Sequence, residues 1–468
     1  MASSFAFALF IVGIGTLLFL DRDKAVHTSR FLWLPVIWLW INGSRPVSAW
    51  LGMEVVDESR SLLPDSNSLD QVVAGTLIAV GIAVLIQRRR EVNVVLRASW
   101  PIILFFVYCL LSLLWSDFPL WGFKRWFREL GELAMVLIVV TDAQPIAAFK
   151  QLVSRVGFVL MPASILMIKY FPSLGRGYTP WGLQMNVGVT TNKNSLGVIT
   201  LVVALGAVWQ ILSLLRERKR PNRNRRLLAQ GILLFFCMDV LVLAHSATSG
   251  ACFGLGTGLM IATNLPRIKR SPAAVHVLVA GLLLGASFSL FFGGEAEAAE
   301  ALGRNADLTG RTEVWAVVIP MAPNPSFGAG FETFWLGPRV EKLKHIFGFI
   351  NESHNGYIET YVNLGIVGVG LIALILGHGY SRAVRVFRHD PTLGGMLLAY
   401  IFAAAAYSIS EAGFRMLCPM WFFLLLSVAS VNRFLRFSRA PSQLRRKLVK
   451  SPSSYETAIP AVRYRPSH

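Results

Sequence analysis

The sequence predicts an all-α, polytopic membrane protein with about 12–13 transmembrane helices and one large periplasmic loop, and three observations carry that reading. Hydrophobic residues make up 54% of the 468 positions and charged ones only 15%, against roughly 25% charged in an average soluble domain. Apolar runs recur from end to end, each near the roughly 20 residues that a helix needs to cross about 30 Å of hydrocarbon. They are continuous rather than alternating, which favours helices that satisfy their own backbone over barrel strands.

Taken in order, the runs place helices at 3–20, 31–50, 71–87, 99–115, 129–141, 151–170, 195–215, 228–245, 249–265, 273–293, 361–380, 393–410 and 415–435. The second is interrupted by Pro35 and by Asn42-Gly43, and the fifth is short enough to begin earlier. The first has no basic residue before it and no small-residue cleavage pattern after it, so it reads as a retained helix. Alternating the connections from a cytoplasmic C-terminus puts Arg88–Arg90, Arg216–Arg226, Arg267/Lys269/Arg270 and Arg382/Arg385/Arg388 inside. The acidic 51–70 stretch and the long 294–360 connection fall outside, in agreement with the positive-inside rule. The chain then divides into N-terminal membrane helices (1–293), a periplasmic loop (294–360), C-terminal membrane helices (361–435) and a basic cytoplasmic tail (436–468). A multi-pass protein of a bacterial inner membrane is the expected setting. The aromatic content of 294–360, with Trp315, Phe327, Phe331, Phe334 and Trp335, predicts a folded element.

A net charge of +19 invites a nucleic-acid reading. The confinement of the basic residues to short blocks between apolar runs argues against it, and no nucleic acid is expected as a partner. Cys109, Cys237, Cys252 and Cys418 all lie in apolar runs without metal-site spacing and read as packing residues.

Four polar clusters fall on the outer side. The first is Trp115-Ser116-Asp117-Phe118-Pro119 with Lys124, Arg125 and Arg128. Three outer basic residues either hold an anion or snorkel to lipid headgroups. The second is Arg176 between two glycines, then Thr190-Thr191-Asn192-Lys193-Asn194-Ser195 opening a helix. Free N–H groups there suit phosphate, and Asn194 or Ser195 would also serve as a plain N-cap. The third, His245 to Gly250, is a pocket element or a tight turn. The fourth spans Arg311, Trp315, Gly328-Ala329-Gly330 and Glu352-Ser353-His354-Asn355-Gly356-Tyr357 into Glu359. Arg is suited to bidentate pyrophosphate binding and His to proton transfer near neutral pH, although a loop His is ordinarily a hydrogen-bonded structural residue. No nucleotide-binding glycine loop with Lys follows a strand, and Gly254-x-Gly256-x-Gly258 inside an apolar run reads as helix packing.

The fourth cluster resembles the signature of the O-antigen ligase and polymerase superfamily. The corresponding residues are Gly310-Arg311…Trp315, Pro325-Ser326-Phe327-Gly328-Ala329-Gly330, His354-Asn355-Gly356-Tyr357-Ile358-Glu359 and Leu364-Gly365-Ile366-Val367-Gly368. Lys193-Asn194-Ser195-Leu196-Gly197 and Trp115-Ser116…Pro119 are similar to the exopolysaccharide-polymerase branch. The chain departs from many relatives in carrying Thr248-Ser249 where they place Ser-Arg, and in one helix beyond their usual dozen. The resemblance implies a metal-independent glycosyltransferase without cofactor, using a glycan on undecaprenyl pyrophosphate at the periplasmic face, with a chain-length regulator or flippase as further partners. It carries Arg311 and His354 over as catalytic residues, His354 as the general base. Arg125, Arg176, Lys193, Asn194, His245, Asn355 and Glu359 are the candidate substrate-binding residues, Asn355 and Glu359 also standing where they would orient His354. The competing class is a polytopic transporter of a small molecule or polysaccharide precursor, whose expected midplane charges are few: Asp239, Glu129, Glu132 and Glu411.

Overall fold

The computed structural model describes residues 2–23, 26–53, 67–178, 182–217, 222–269, 271–291, 308–348 and 350–439. It is a helix bundle. The one sheet among these residues is an antiparallel pair, Arg176–Tyr178 with Gln184–Asn186, in the register Gly177 opposite Met185.

Every expected apolar run contains helix, and among the described residues seven helices are by themselves long and apolar enough to span a bilayer: Ser3–Asp21, Ser68–Gln87, Pro145–Tyr170, Lys193–Arg216, Arg223–Ala244, Gly356–His389 and Pro391–Ser410. The pair Arg89–Ala98 and Trp100–Trp115, bent by 90°, raises the number to eight. The all-α, polytopic architecture is as expected, and by this length criterion the described residues hold fewer full spans than the 12–13 apolar runs. Ala247–Ala262 and Pro419–Leu435 are shorter apolar helices, and Pro119–Val140 carries Lys124, Arg125, Arg128, Glu129 and Glu132. The 31–50 run is corrected too. It breaks into Arg30–Leu32, Trp33–Asn42 and Val47–Trp50, because Gly43 closes the middle helix and Pro46 precedes the last. Residues 54–66 and the tail beyond 439 lie outside the described residues.

The Pro419–Arg439 helix runs through the middle of the bundle, against Pro119–Val140, Lys193–Arg216, Gly356–His389 and Pro391–Ser410. Its Met420 to Leu426 are all buried. Phe149 packs edge-on against Trp209 and Phe423, with ring centroids 5.5 and 5.9 Å away, and Tyr400 donates to the Val202 carbonyl at 2.7 Å. At the periphery the apolar faces point outward. Phe5, Leu9, Val12 and Phe19 of the first helix are exposed, a surface that only lipid covers without cost.

One end of the bundle is basic. There Arg88 reaches the Ile138 carbonyl, Arg216 bonds Thr392, and Arg433 faces the carbonyls of Val140 and Asp142. The other end carries the described part of the expected outer element. Its helices Leu308–Val318 and Pro338–Phe347 share a second small core of Val318, Ala329, Phe334, Trp335, Leu343, Ile350 and Val362.

That element is fixed to the bundle by a backbone junction. Gly365, inside the Gly356–His389 helix, has φ 66° and ψ −168° and kinks it. The kink opens the helix to the Pro325–Gly330 segment. Ala329 and Gly330 donate to the carbonyls of Val362 and Asn363, while Ile366 and Val367 donate to those of Pro325 and Ser326. A side chain at Gly328 or Gly365 would collide with the opposite backbone. Two separated glycine motifs of the sequence are thus the two halves of one joint.

Candidate functional site

The helix ends at the outer end converge on Glu411, the residue that follows the Pro391–Ser410 helix. Arg311, from the first helix of the outer element, donates Nη2 to Glu411 Oε1 at 3.1 Å and Nη1 to the Ser410 carbonyl. Asn194, in the first turn of the Lys193–Arg216 helix, donates to Glu411 Oε2 at 3.1 Å. His354 Nδ1 lies 3.6 Å from the same oxygen and 3.0 Å from Glu352 Oε1. Glu352 Oε2 is in turn 3.1 Å from Arg415 Nη1, and Arg415 Nε is 3.8 Å from Glu332. The result is a continuous row of alternating charge: Arg311, Glu411, His354, Glu352, Arg415, Glu332.

Local sequence explains how each member is held. Asn355 caps the Gly356–His389 helix by accepting from the N–H groups of Tyr357 and Ile358, and its amide donates to the Ile409 carbonyl at 2.8 Å. Gly356 N–H donates to the Glu411 carbonyl at 3.0 Å, so the loop before one helix is tied to the loop after another. Glu359 accepts from Trp335 Nε1, Ser353 N–H and Ser353 Oγ behind the site. Trp315, one turn along from Arg311, donates to the Ser353 carbonyl at 2.8 Å. His354, Glu332 and Leu417 all adopt positive φ, at 51°, 54° and 60°. Each such non-glycine residue costs about 1–3 kcal/mol, and such strain gathers at functional sites.

The charges act on one another. Burial opposes a charge on His354, but Glu352 and Glu411 outweigh it and hold the imidazolium up to about 10. Burial likewise raises Glu352, and His354 with Arg415 outweighs it, holding the carboxyl down to about 2. Arg415 is held above its ordinary value by Glu332 and Glu352 against the effect of burial. His354 in this arrangement is therefore a cation at neutral pH. Two carboxylates beside the imidazole stabilise the added proton.

Glu352, His354 and Glu411 offer ligand atoms within 4.8 Å of one another, a donor set of the kind that holds a divalent ion. Both carboxylates, however, already face guanidinium groups at 3.1 Å. A dication there would have to displace or sit among Arg311, Arg415 and the His354 cation.

The candidate residues thus separate. Arg311, His354 and Asn194 meet at Glu411, while Asn355 and Glu359 form the support behind them. Arg125 stands at the edge of the row, donating to the Glu332 carbonyl. Lys193 adjoins Asn194 in sequence and forms no ion pair among the described residues. Arg176 is outside the row, its Nε donating to the Ile168 carbonyl at 3.2 Å from the small hairpin. His245 is the exposed, left-handed C-cap of the Arg223–Ala244 helix, and it is Thr248 of the third cluster that reaches Ser410, at 3.0 Å. The N-cap of the Lys193 helix is Asn192, which accepts from Ser195 N–H at 2.8 Å, rather than Asn194 or Ser195. The first cluster serves as a platform. Ser116 bonds Thr333, Asp117 pairs with Arg339 at 2.8 Å, and Ser112 accepts from Phe331 N–H.

Sequence reasoning missed Arg415 and the pairing roles of Glu411, Glu352 and Glu332. The signal was present in Glu411-Ala-Gly-Phe-Arg415, two charges in the gap between apolar runs. The expected helix at 415–435 hid it; that helix begins at Pro419, which leaves 411–418 as a loop at the site.

Fold and site together define an all-α, multi-pass membrane protein with a half-buried row of paired charges at one end of its bundle. Residues 187–375, which contain Asn194, Arg311 and His354, match the O-Antigen ligase family. The chain is also similar to the exopolysaccharide production protein ExoQ of Rhizobium meliloti, with 23% identity over 327 residues, 67% of this chain and 72% of that protein. The expected resemblance to this family and its exopolysaccharide branch is borne out, and both matches support a membrane enzyme of the glycan ligase or polymerase type.

Proposed function

We propose that this protein transfers a glycan from polyprenyl pyrophosphate to an acceptor hydroxyl, at the periplasmic face of the inner membrane, in exopolysaccharide or O-antigen synthesis. The observation that carries the reading is the Arg311–Glu411–His354–Glu352–Arg415 row. Its three cations are preorganised, and each is neutralised by a carboxylate that a stronger anion will displace. A pyrophosphate presents several charged oxygens to guanidinium forks and meets that description.

In the reaction the acceptor oxygen attacks the anomeric carbon. The bond from that carbon to the pyrophosphate oxygen breaks, and its electron pair stays on the phosphate. Arg311, Arg415 and the His354 cation stabilise the charge that develops there, a contribution of several kcal/mol for donors fixed in advance. The acceptor proton passes to the Glu352–His354–Glu411 unit. Its imidazolium already carries a proton on both nitrogens, so the carboxylates released from the guanidiniums are the open positions. His354 is then the centre of a proton-accepting unit rather than a lone base. A flippase must supply the donor, because the site lies at the end of the bundle away from the basic, inside-type connections.

Reconstitution tests the reading. Proteoliposomes of the purified chain, given lipid-linked oligosaccharide on the site face, should form a new glycosidic product. Accumulation of unchanged oligosaccharide inside the vesicles, with no product, would instead identify a transporter.

A further inference from the structure

We infer that the groove beneath Arg45 seats the isoprenoid chain and phosphate of a second polyprenyl lipid, the one that carries the acceptor. This deepens the transferase reading and rests on it for the acceptor role.

The groove encloses about 290 Å³ between the Trp33–Asn42 helix, the short Val47–Trp50 helix and the Pro145–Tyr170 helix, lined by Trp40, Ile41, Val159, Leu160, Ala163 and Val189. The indole and aliphatic lining suits a length of hydrocarbon rather than a sugar, whose hydroxyls would find few partners there. The one polar edge of Trp40 is turned away, donating to the Arg155 carbonyl at 3.3 Å, so the groove sees the face of its ring. Trp50 closes the rim, 39% exposed, with its indole N–H on Ser44 Oγ and its ring under the Arg45 guanidinium at 5.7 Å. Leu51 and Met53 continue the apolar surface outward.

Arg45 makes the groove a seat for an anionic lipid. Its Nε donates to the Thr190 carbonyl at 3.1 Å, and its Nη2 to the carbonyls of Leu174 and Gly188. These bonds fix the guanidinium in place. They leave Nη1, with its two donors, without a hydrogen bond among the described residues. No carboxylate pairs with Arg45 there. A fixed guanidinium with an open edge, above a pocket lined by indole and aliphatic side chains, matches an isoprenoid phosphate in both of its parts.

The position selects the role. Arg45 holds Thr190, and four residues later Asn194 holds Glu411. The groove is therefore next to the charge row and separate from it, on the same end of the bundle. The departing pyrophosphate needs Arg311 and Arg415. A lipid anchored at Arg45 keeps its phosphate and brings the sugar it carries toward the row, as an acceptor does.

The test uses a photoreactive polyprenyl phosphate with the full-length protein in nanodiscs, and maps adducts by mass spectrometry. Adducts on Trp40–Trp50 and Val159–Ala163 are expected, competed by undecaprenyl phosphate. Ala163→Phe, which fills the groove and leaves Arg45 intact, should cut them about tenfold, as should Arg45→Gln, the loss expected for one charge-assisted contact. Because Arg45→Gln also loses three carbonyl bonds, Ala163→Phe is the deciding variant, compared at equal melting temperature. Equal competition by phosphatidylglycerol, or unchanged adducts in Ala163→Phe, would overturn the proposal. Labelling requires no turnover. A wild type that labels in the groove yet forms no glycosidic product would sink the transferase reading and keep the lipid seat. One that transfers glycan while Ala163→Phe labels normally would sink the seat alone.

Discussion

Gly365→Ala tests whether the kinked joint positions the charge row. The backbone there, at φ 66° and ψ −168°, is one that only glycine adopts readily, and forcing alanine into it costs about 1–3 kcal/mol. A methyl group at this position also lies within the van der Waals radii of the Ser326 carbonyl and the Phe327 nitrogen. Relief by overpacking adds about 1–3 kcal/mol. Relief by separation instead breaks the Ile366–Pro325 and Val367–Ser326 backbone bonds, at about 1 kcal/mol each. The expected loss is thus about 2–6 kcal/mol, taken mainly by the outer element, since the helix on either side of the kink stays buried in the bundle. Melting followed at an outer-element probe, such as Trp335 fluorescence, should show a markedly lower transition than the bundle. Protease accessibility of 324–348 should rise in parallel, and transfer should fall with it. A Gly365→Ala protein with wild-type melting and wild-type transfer would show that the outer element is not held by this joint.

Arg311→Lys should lower transfer by about 10- to 100-fold at equal protein level, because an ammonium cannot make both the Glu411 and Ser410 contacts of the fork; near-normal product would make Arg311 structural. Stability should depend on pH through the His354–Glu352 pair. His354 rises from 6.5 to about 10 on folding, so its contribution is complete below pH 6.5 and is lost as pH climbs toward 10. Glu352 falls from 4.5 to about 2, so its contribution is complete above pH 4.5 and is lost as pH drops toward 2. Melting temperature in detergent should therefore be highest between about pH 4.5 and 6.5, and His354→Gln should flatten the alkaline side; an unchanged alkaline slope would contradict the pairing. Transfer by the purified protein should survive extensive dialysis against a chelator, because guanidiniums compensate the carboxylates of the one candidate ligand set among the described residues; loss of activity restored by a divalent ion would make that set a metal site.

The membrane architecture was legible because hydrocarbon forces a simple code. A long apolar run has one outcome in lipid, and the runs ending at Ser410 and beginning near Lys193 are helices close to their expected bounds. The breaks were harder to read. Gly365 sits in an apolar stretch that reads as one straight helix, and its kink follows from a partner some forty residues earlier. The candidate site was legible at Arg311 and His354, which stand out in the sequence and which the structure brings together at Glu411. It was not legible where charges are paired through space. Glu411 and Arg415 share the 411–418 loop, whereas Glu332 and Glu352 come from other loops, and only the convergence of helix ends makes them neighbours. That same convergence places His354 between the carboxylates of Glu352 and Glu411. Arg176, bonded to the Ile168 carbonyl, and His245, at a helix end, lie outside the row.

The central claim is that the paired-charge row performs the transfer, with His354 at its centre. The most direct measurement is single-turnover glycan transfer by purified His354→Ala in nanodiscs, beside binding of the lipid-linked donor to the same preparation. The account predicts a folded protein that still binds donor through Arg311 and Arg415, with transfer slowed at least about 10²-fold. His354→Gln, closer in size and able to hydrogen-bond, should be equally slow and provides the comparison if the alanine variant fails to accumulate. Transfer at near the wild-type rate in either variant would contradict the account.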